Sequence, residues 1–570
     1  MRNKLLFVCL FLFASLASCK DTRWTEIAAG NPPEGAVTGE SGELTENEEE
    51  PVNPDDPDVP QNPDKYINSS YIRGDYFEFE RISAKTMAAC NDLIYLAPRP
   101  YADGELGFDL PVNDATFAGG ATHEDSFNGR NGVIKFDGSG KMNGGIGLIE
   151  NPDADYASGI STFTFGTWFY VTEWVKNATL FSKASSGGTK EVHLQLGDAA
   201  GSLKLTVGSA TVSADNSALA VESWHHVAVT YSNGTAKLIV DGNNNGAVTF
   251  SGGTLPAKVV NSRGDFVIGN NFKGYLDETY VSNMGTAVGT GELSFSAGNW
   301  NAIKVLAYWK YNDASNPGKD SHTWVERLKN IRKALEGQAG NRKLRAGVAG
   351  GNWKAMVADA AARTKFANNI KKLISDYQLD GVDLDFEWPV NSTEFSNYSA
   401  AIVEMRSVLG SNVCFTVSLH PVAYKISKAA IDAVDFISYQ CYGPAVMRFP
   451  YEQFVKDGKE AVAYGIPKEK LVMGIPFYGS KGNGVAGTTG YWNLVTESPQ
   501  LSDTSVDSWN GYTFNGQSTI RKKTQHVCDE GYAGIMSWDL ATDVDITHPK
   551  SLLKVVNEVF ETYVPATAQK

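Results

Sequence analysis

The sequence predicts a parallel α/β fold joined to an all-β sandwich, on three observations. From Lys343 to Leu540 short apolar runs alternate with stretches of helical spacing, the pattern of a parallel sheet covered by helices. From about Gly132 to Val281 the runs are short and alternating, with many Gly, Ser and Asn, which predicts two packed sheets. The length, 570 residues, allows two or three domains and a large core.

The chain opens with Arg2 and Lys4, an apolar run Leu5–Leu12 and then Leu16-Ala17-Ser18-Cys19, which reads as an export signal and is too short for a membrane span. The ending resembles a bacterial lipoprotein box. That resemblance implies Cys19 as the lipidated first residue of the mature protein, the alternative being an ordinary signal peptide with an incidental Cys. Lys20 follows instead of the Asp that retains some lipoproteins at the inner membrane, which favours the outer membrane or cell surface of a Gram-negative bacterium. Residues 1–19 are therefore read as the signal. Residues 20–65 are read as a disordered, acidic, Pro-rich tether, because a stretch such as Glu46-Asn47-Glu48-Glu49-Glu50 cannot bury enough surface to offset its ordering entropy. A net charge of −15 argues against nucleic acid or an anionic membrane surface as partner and suits a neutral glycan. A monomer that meets the membrane only through its lipid is expected.

Strands are next expected at Tyr71–Phe79 and Asp92–Ala97, around a helical stretch near Ser83–Ala89. Within the sandwich, Asn233-Gly234 predicts a hairpin turn between Trp224–Tyr231 and Lys237–Val240. His225 and His226 alternate across one strand, so one exposed and one packed ring are expected in preference to a metal pair. Later strands are expected at Lys343–Gly351, Gly381–Trp388, Val413–Leu419, Val434–Tyr442, Leu471–Gly479 and Tyr532–Leu540. Helical spacing lies between them, as in Phe366, Ile370, Leu373 and Tyr377. Cys90, Cys414, Cys441 and Cys528 have no CxxC spacing and sit mostly in apolar runs, so they read as free thiols; no metal and no cofactor is expected.

The stretch Gly381–Trp388 carries the chemistry. In a strand, Asp383, Asp385 and Glu387 share one face while Val382, Leu384 and Phe386 share the other. Successive carboxylates then have Cβ atoms about 7 Å apart. Repulsion and desolvation raise at least one pKa, so one carboxyl keeps a proton near neutral pH, as a general acid must. A metal site or a solvated acidic edge is the alternative. Hard cations, however, usually draw ligands from a loop, and an exposed edge would not carry Val, Leu and Phe on its other face.

Asp380-Gly381-Val382-Asp383-Leu384-Asp385-Phe386-Glu387 resembles the DGxDxDxE signature of family 18 glycoside hydrolases, the chitinases and their relatives. The resemblance implies a (β/α)8 TIM barrel with the signature on its fourth strand. Only one strand, at Lys343, directly precedes the signature, so the two strands before the sandwich are taken as barrel strands one and two. A jelly roll inserted after strand two follows, with the barrel at 66–110 and 300–565 and the insertion at 111–299. Phe163–Tyr170, Trp224–Val229, Leu238–Gly242 and Gly274–Glu278 resemble laminin-G/concanavalin-like jelly rolls. The competing arrangement is a tandem in which Lys304–Tyr311 is the first barrel strand.

The resemblance also implies roles. Glu387 is the acid that protonates the leaving oxygen and then activates water, Asp385 orients the 2-acetamido group of the substrate, and Asp383 shares its proton. Tyr442 is the Tyr that bonds the acetamido carbonyl, and Trp538 the floor under the −1 sugar. Tyr478, Gln440 and Trp388 complete the implied substrate contacts, Tyr478 being equally readable as core. Two departures stand out: Gln440-Cys441-Tyr442-Gly443 replaces the usual Met-x-Tyr-Asp, and Val348-Ala349-Gly350-Gly351 replaces Ser-x-Gly-Gly, which removes a hydroxyl expected near the carboxylates. Only about fifty residues separate Gly479 from Tyr532, too few for a full α+β wall, so a shallow, endo-acting groove is expected. The activity implied is chitinase-type hydrolysis of β-1,4-linked N-acetylglucosamine. An endo-β-N-acetylglucosaminidase acting on the chitobiose core of N-glycans and a non-catalytic glycan-binding protein are the alternatives.

Overall fold

The computed structural model describes residues 65–564 except 74–76, 97, 109, 146–158, 185–189, 217–218, 220–221, 261–265, 294–304, 338–341, 444–445, 483–486 and 498–504. The export signal, Cys19 and the tether up to residue 64 lie outside the described residues.

Eight parallel strands close a barrel in chain order: β1 (Ile67–Arg73), β2 (Asp92–Leu96), β3 (Lys343–Ala349), β4 (Gly381–Asp385), β5 (Cys414–Leu419), β6 (Phe436–Tyr439), β7 (Leu471–Pro476) and β8 (Gly534–Trp538). Helices pack outside: α1 (Ala84–Ala88), α2 (Trp324–Leu335), α3 (Ala360–Asp376), α4 (Ser392–Leu409), α5 (Lys428–Ala433), α6 (Tyr451–Tyr464), α7 (Gln517–Glu530) and α8 (Leu552–Thr562). Period two divides every strand. On β4, Val382 and Leu384, with Phe386 just beyond, enter the core shared with helical residues such as Ile370 and Ile402, so Asp383 and Asp385 face the barrel interior. Val348 belongs to that outer core as well. A hydroxyl at position 348 of this chain would therefore face that outer core and not the carboxylates.

The strand expected at Tyr71–Phe79 is displaced. β1 ends at Arg73, paired with Leu96 of β2, and Phe77–Arg81 forms a 3-10 turn. Phe79 is buried there, 4.9 Å from the Arg327 guanidinium. An alternating Phe-Glu-Phe is compatible with either state, and here its second Phe is buried against Arg327 from a turn.

The sandwich stands between β2 and β3, as expected. Among the described residues its two sheets have seven and eight strands. The hairpin Trp224–Ser232/Thr235–Val240 turns at Asn233 (φ 47°) and Gly234 (φ 83°), the left-handed pair that matches strand twist. Val305–Trp309 pairs antiparallel with Lys273–Ser282, so this run belongs to the sandwich and the tandem arrangement does not hold. Trp309 is fully buried there and donates its indole N–H to the Asn113 carbonyl at 2.8 Å. The chain enters and leaves the sandwich through a narrow neck: Trp324 N donates to Leu110 O at 2.9 Å, and Ala115 N to Gly318 O at 2.7 Å.

Candidate active site

β4 is shorter than expected, ending at Asp385, so Glu387 stands in the segment just past the strand's carboxyl end, where sites on this fold are built. The row is still brought together. Gln440, just past β6, donates its amide Nε2 to Asp385 Oδ1 at 3.2 Å and to Glu387 Oε1 at 3.1 Å. Asp385 is buried and Glu387 half-buried. Burial, then the charge of Glu387, then that of Asp383 hold the Asp385 carboxyl well above the usual carboxylate range, against the pull of Gln440.

Asp383 lies deeper and is fully buried. Its Oδ2 accepts from the Tyr71 hydroxyl at 2.6 Å and its Oδ1 from the Thr416 hydroxyl. Burial raises its pKa, opposed first by Arg345 and then by those two hydroxyls. The row therefore combines a deep carboxyl with strong hydrogen-bond support and a shallower one crowded by a like charge. Such a pair titrates unevenly.

Trp538, at the end of β8, is half-buried with its ring 5.2 Å from that of Tyr71. The buried Tyr442 hydroxyl is directed to the Met536 sulfur at 3.3 Å. Trp388 packs 4.9 Å from the His420 ring, and its indole N–H has no acceptor among the described residues. Tyr478 is buried between Phe449 and Tyr442, whose ring centroids lie 5.5 and 6.4 Å from its own, and gives its hydroxyl to the Gly443 carbonyl at 2.8 Å. Between β7 and β8 a small four-stranded sheet and the helix Tyr491–Glu497 occupy the side of the mouth.

Sequence reasoning missed Tyr71, Thr416, Arg345, Asp92 and His420. Each is polar or charged at an inward position of, or just past, a barrel strand, and on the largely apolar β3 and β5 that period-two signal was available for Arg345 and Thr416. The His pair of the sandwich divides only in part as expected: His226 is buried, but His225 is 14% exposed instead of open to solvent, because its ring is held between Asp241 Oδ2 at 3.0 Å and Ser223 Oγ at 2.9 Å. Cys90, Cys441 and Cys528 are buried free thiols and Cys414 a half-buried one. Among the described residues no group of three or more His, Cys, Asp or Glu is arranged to hold a metal.

Residues 304–543 match the family described as glycosyl hydrolases family 18, and residues 143–286 the concanavalin A-like lectin/glucanases superfamily. The chain is similar to a class V chitinase of Arabidopsis thaliana, 22% identical over 34% of this chain and 65% of that protein. It is also similar to chitinase B of Serratia marcescens, 25% identical over 25% of this chain and 40% of that protein. The matches thus span between 40 and 65% of the length of these two curated relatives. Among solved structures, the chitinase ChiB of Flavobacterium johnsoniae is 26% identical, with 41% of this chain and 79% of that chain covered and a TM-score of 0.36. A chitinase of Bacteroides thetaiotaomicron is 20% identical, with 42% and 81% covered and a TM-score of 0.37. With the signature on the fourth strand of a closed barrel and the family match spanning that strand, the chain carries a glycosyl hydrolase family 18 domain, and a concanavalin A-like domain is built in after the second barrel strand.

Proposed function

We propose that the protein hydrolyses β-1,4-linked N-acetylglucosamine chains as a chitinase-type, endo-acting enzyme, with retention and substrate assistance. The observation that carries this is the convergence of Asp385 and Glu387 on one amide donor at the barrel mouth, above a buried Asp383 whose two oxygens are both hydrogen-bonded. In this reading Glu387, open enough to reach a ligand, gives its proton to the leaving glycosidic oxygen. Asp385, protonated by its crowding, holds the 2-acetamido group so that its carbonyl oxygen attacks the anomeric carbon. The oxazolinium ion so formed is neutralised by the carboxylates below it, and Glu387 then takes a proton from the water that opens it. Trp538 offers an aromatic face to the apolar side of the sugar, and Tyr442 stands beside Asp385 to meet the acetamido oxygen. The chain acts at the outer membrane or cell surface, tethered through Cys19, as a monomer that uses no cofactor.

The test is hydrolysis of chitotetraose by the protein lacking residues 1–19, with Glu387→Gln alongside and products resolved by size and anomer. Chitobiose of retained β configuration, lost in the variant, is expected. Cleavage of a high-mannose glycoprotein but not of chitotetraose would instead establish the N-glycan endoglycosidase. Turnover that survives Glu387→Gln would refute the assignment of the acid.

A further inference from the structure

Beneath the carboxylate row the barrel holds charges that the acid–base chemistry leaves unused. Arg345, fully buried on β3, donates from Nε and Nη2 to the two oxygens of Asp92 at 2.7 and 2.5 Å. Its remaining Nη1 donates to the Thr416 hydroxyl and lies 3.8 Å from Asp383 Oδ1. A buried ion pair is a poor source of stability compared with apolar residues of the same volume, so this one calls for another reason.

Hydrogen-bond direction supplies it. A guanidinium only donates, so Thr416 must accept from Arg345 and has its single proton left for Asp383. Tyr71 donates to the other oxygen. A proton on Asp383 would have to displace one of these donors, whereas Asp385 has only a shared amide. The titratable and charged groups around Asp383 are Tyr71 from β1, Asp92 from β2, Arg345 from β3, Asp385 on β4, Tyr398 from α4 and Cys414 from β5. Arg345 is the cation among them.

We infer that Arg345 is a positioning residue for the reaction proposed above: acting through Thr416, it holds Asp383 as a carboxylate and so keeps the shared proton of the row on Asp385, where the substrate is met. The inference rests on the family 18 reading. It gives the strand-three arginine a role in setting which carboxyl is protonated, and ties the pH range of the enzyme to a group that touches no substrate.

The experiment compares the unaltered protein with Thr416→Val, which leaves the ion pair intact, and with the paired Arg345→Gln/Asp92→Asn, which removes both charges and keeps the shapes. Rates on chitotetraose are read as kcat and KM across pH. Asp383 loses a donor or its cation in either variant and protonates at higher pH. The acid limb of kcat/KM should therefore move up by about one pH unit and kcat fall about tenfold, with KM changed less than about twofold. Unmoved limbs in folded variants would overturn the inference and leave the pair a structural one. Should the double variant fail to fold, Thr416→Val decides by the same criterion. Absence of chitotetraose hydrolysis by the unaltered protein would overturn the chitinase-type reading and this inference with it, a result distinguishable from an active enzyme with an unmoved limb.

Discussion

Replacing Gln440 with Met, the residue usual in the family at this place, isolates what the bridging amide does to the carboxyl pair. Met fills nearly the same space without a donor, so the fold should lose less than about 1.5 kcal/mol. The amide lies 3.2 Å from Asp385 and 3.1 Å from Glu387, sharing itself between two acceptors at the long end of the hydrogen-bond range. A hydrogen bond to a charged group contributes about 1.5–3 kcal/mol. Assigning half of that to Asp385 gives about 0.8–1.5 kcal/mol, or up to about one pKa unit. The donor stabilises the ionised form, so its loss raises a pKa that burial and Glu387 already hold high. Asp385 then keeps its proton to higher pH, and the alkaline limb of kcat/KM on chitotetraose should move up by about one unit. Initial rates over a buffered pH series measure this directly. An alkaline limb that stays in place or moves down would show that Gln440 does not govern the protonation of Asp385.

Two further outcomes follow from packing. A Cβ at Gly474 on β7 would stand 2.6 Å from the Tyr439 carbonyl oxygen and 2.8 Å from the Tyr442 ring, so Gly474→Ala must push Tyr442 aside. It should lose about 1–3 kcal/mol in denaturant unfolding and more than about tenfold in kcat, and an unchanged kcat would show that Tyr442 plays no part in turnover. In the sandwich, Trp309→Ala removes a fully buried ring and strands the Asn113 carbonyl, a loss of about 3–5 kcal/mol in the unfolding of that domain. A loss under about 1 kcal/mol would contradict the pairing of Val305–Trp309 with the sandwich sheet.

How much could be read beforehand depended on what each element's state rests on. The carboxylate row, the barrel and the inserted sandwich were legible because period-two and helical spacing are local properties of the sequence. The neighbours of the row were harder. Tyr71 and Thr416 reach Asp383 from strands 312 and 33 residues away, and Arg345 meets Asp92 across 253. Such contacts depend on strand register, which a single sequence does not display. Strand ends failed for a related reason: Phe77–Arg81 has strand-like alternation, yet it folds as a 3-10 turn with Phe79 packed on Arg327, a partner distant in the chain. Tyr478 was ambiguous because an aromatic at a strand end suits core and groove alike, and in the structure it packs against Tyr442 while bonding Gly443 O.

The neck between the two domains bears on the order in which the chain acquires its structure. Bringing Leu110 and Trp324 together through a flexible loop of that length would carry a closure entropy of about 5 kcal/mol, whereas a loop of ten residues carries about 2. A sandwich that has already folded presents its two ends side by side, with Trp324 N bonded to Leu110 O. On a ribosome the two leading barrel strands emerge long before their partner β3 and must wait for it. The insertion, complete in its own core, folds in that interval and delivers β3 close to β2, so the barrel closes as though its longest connection were a short one.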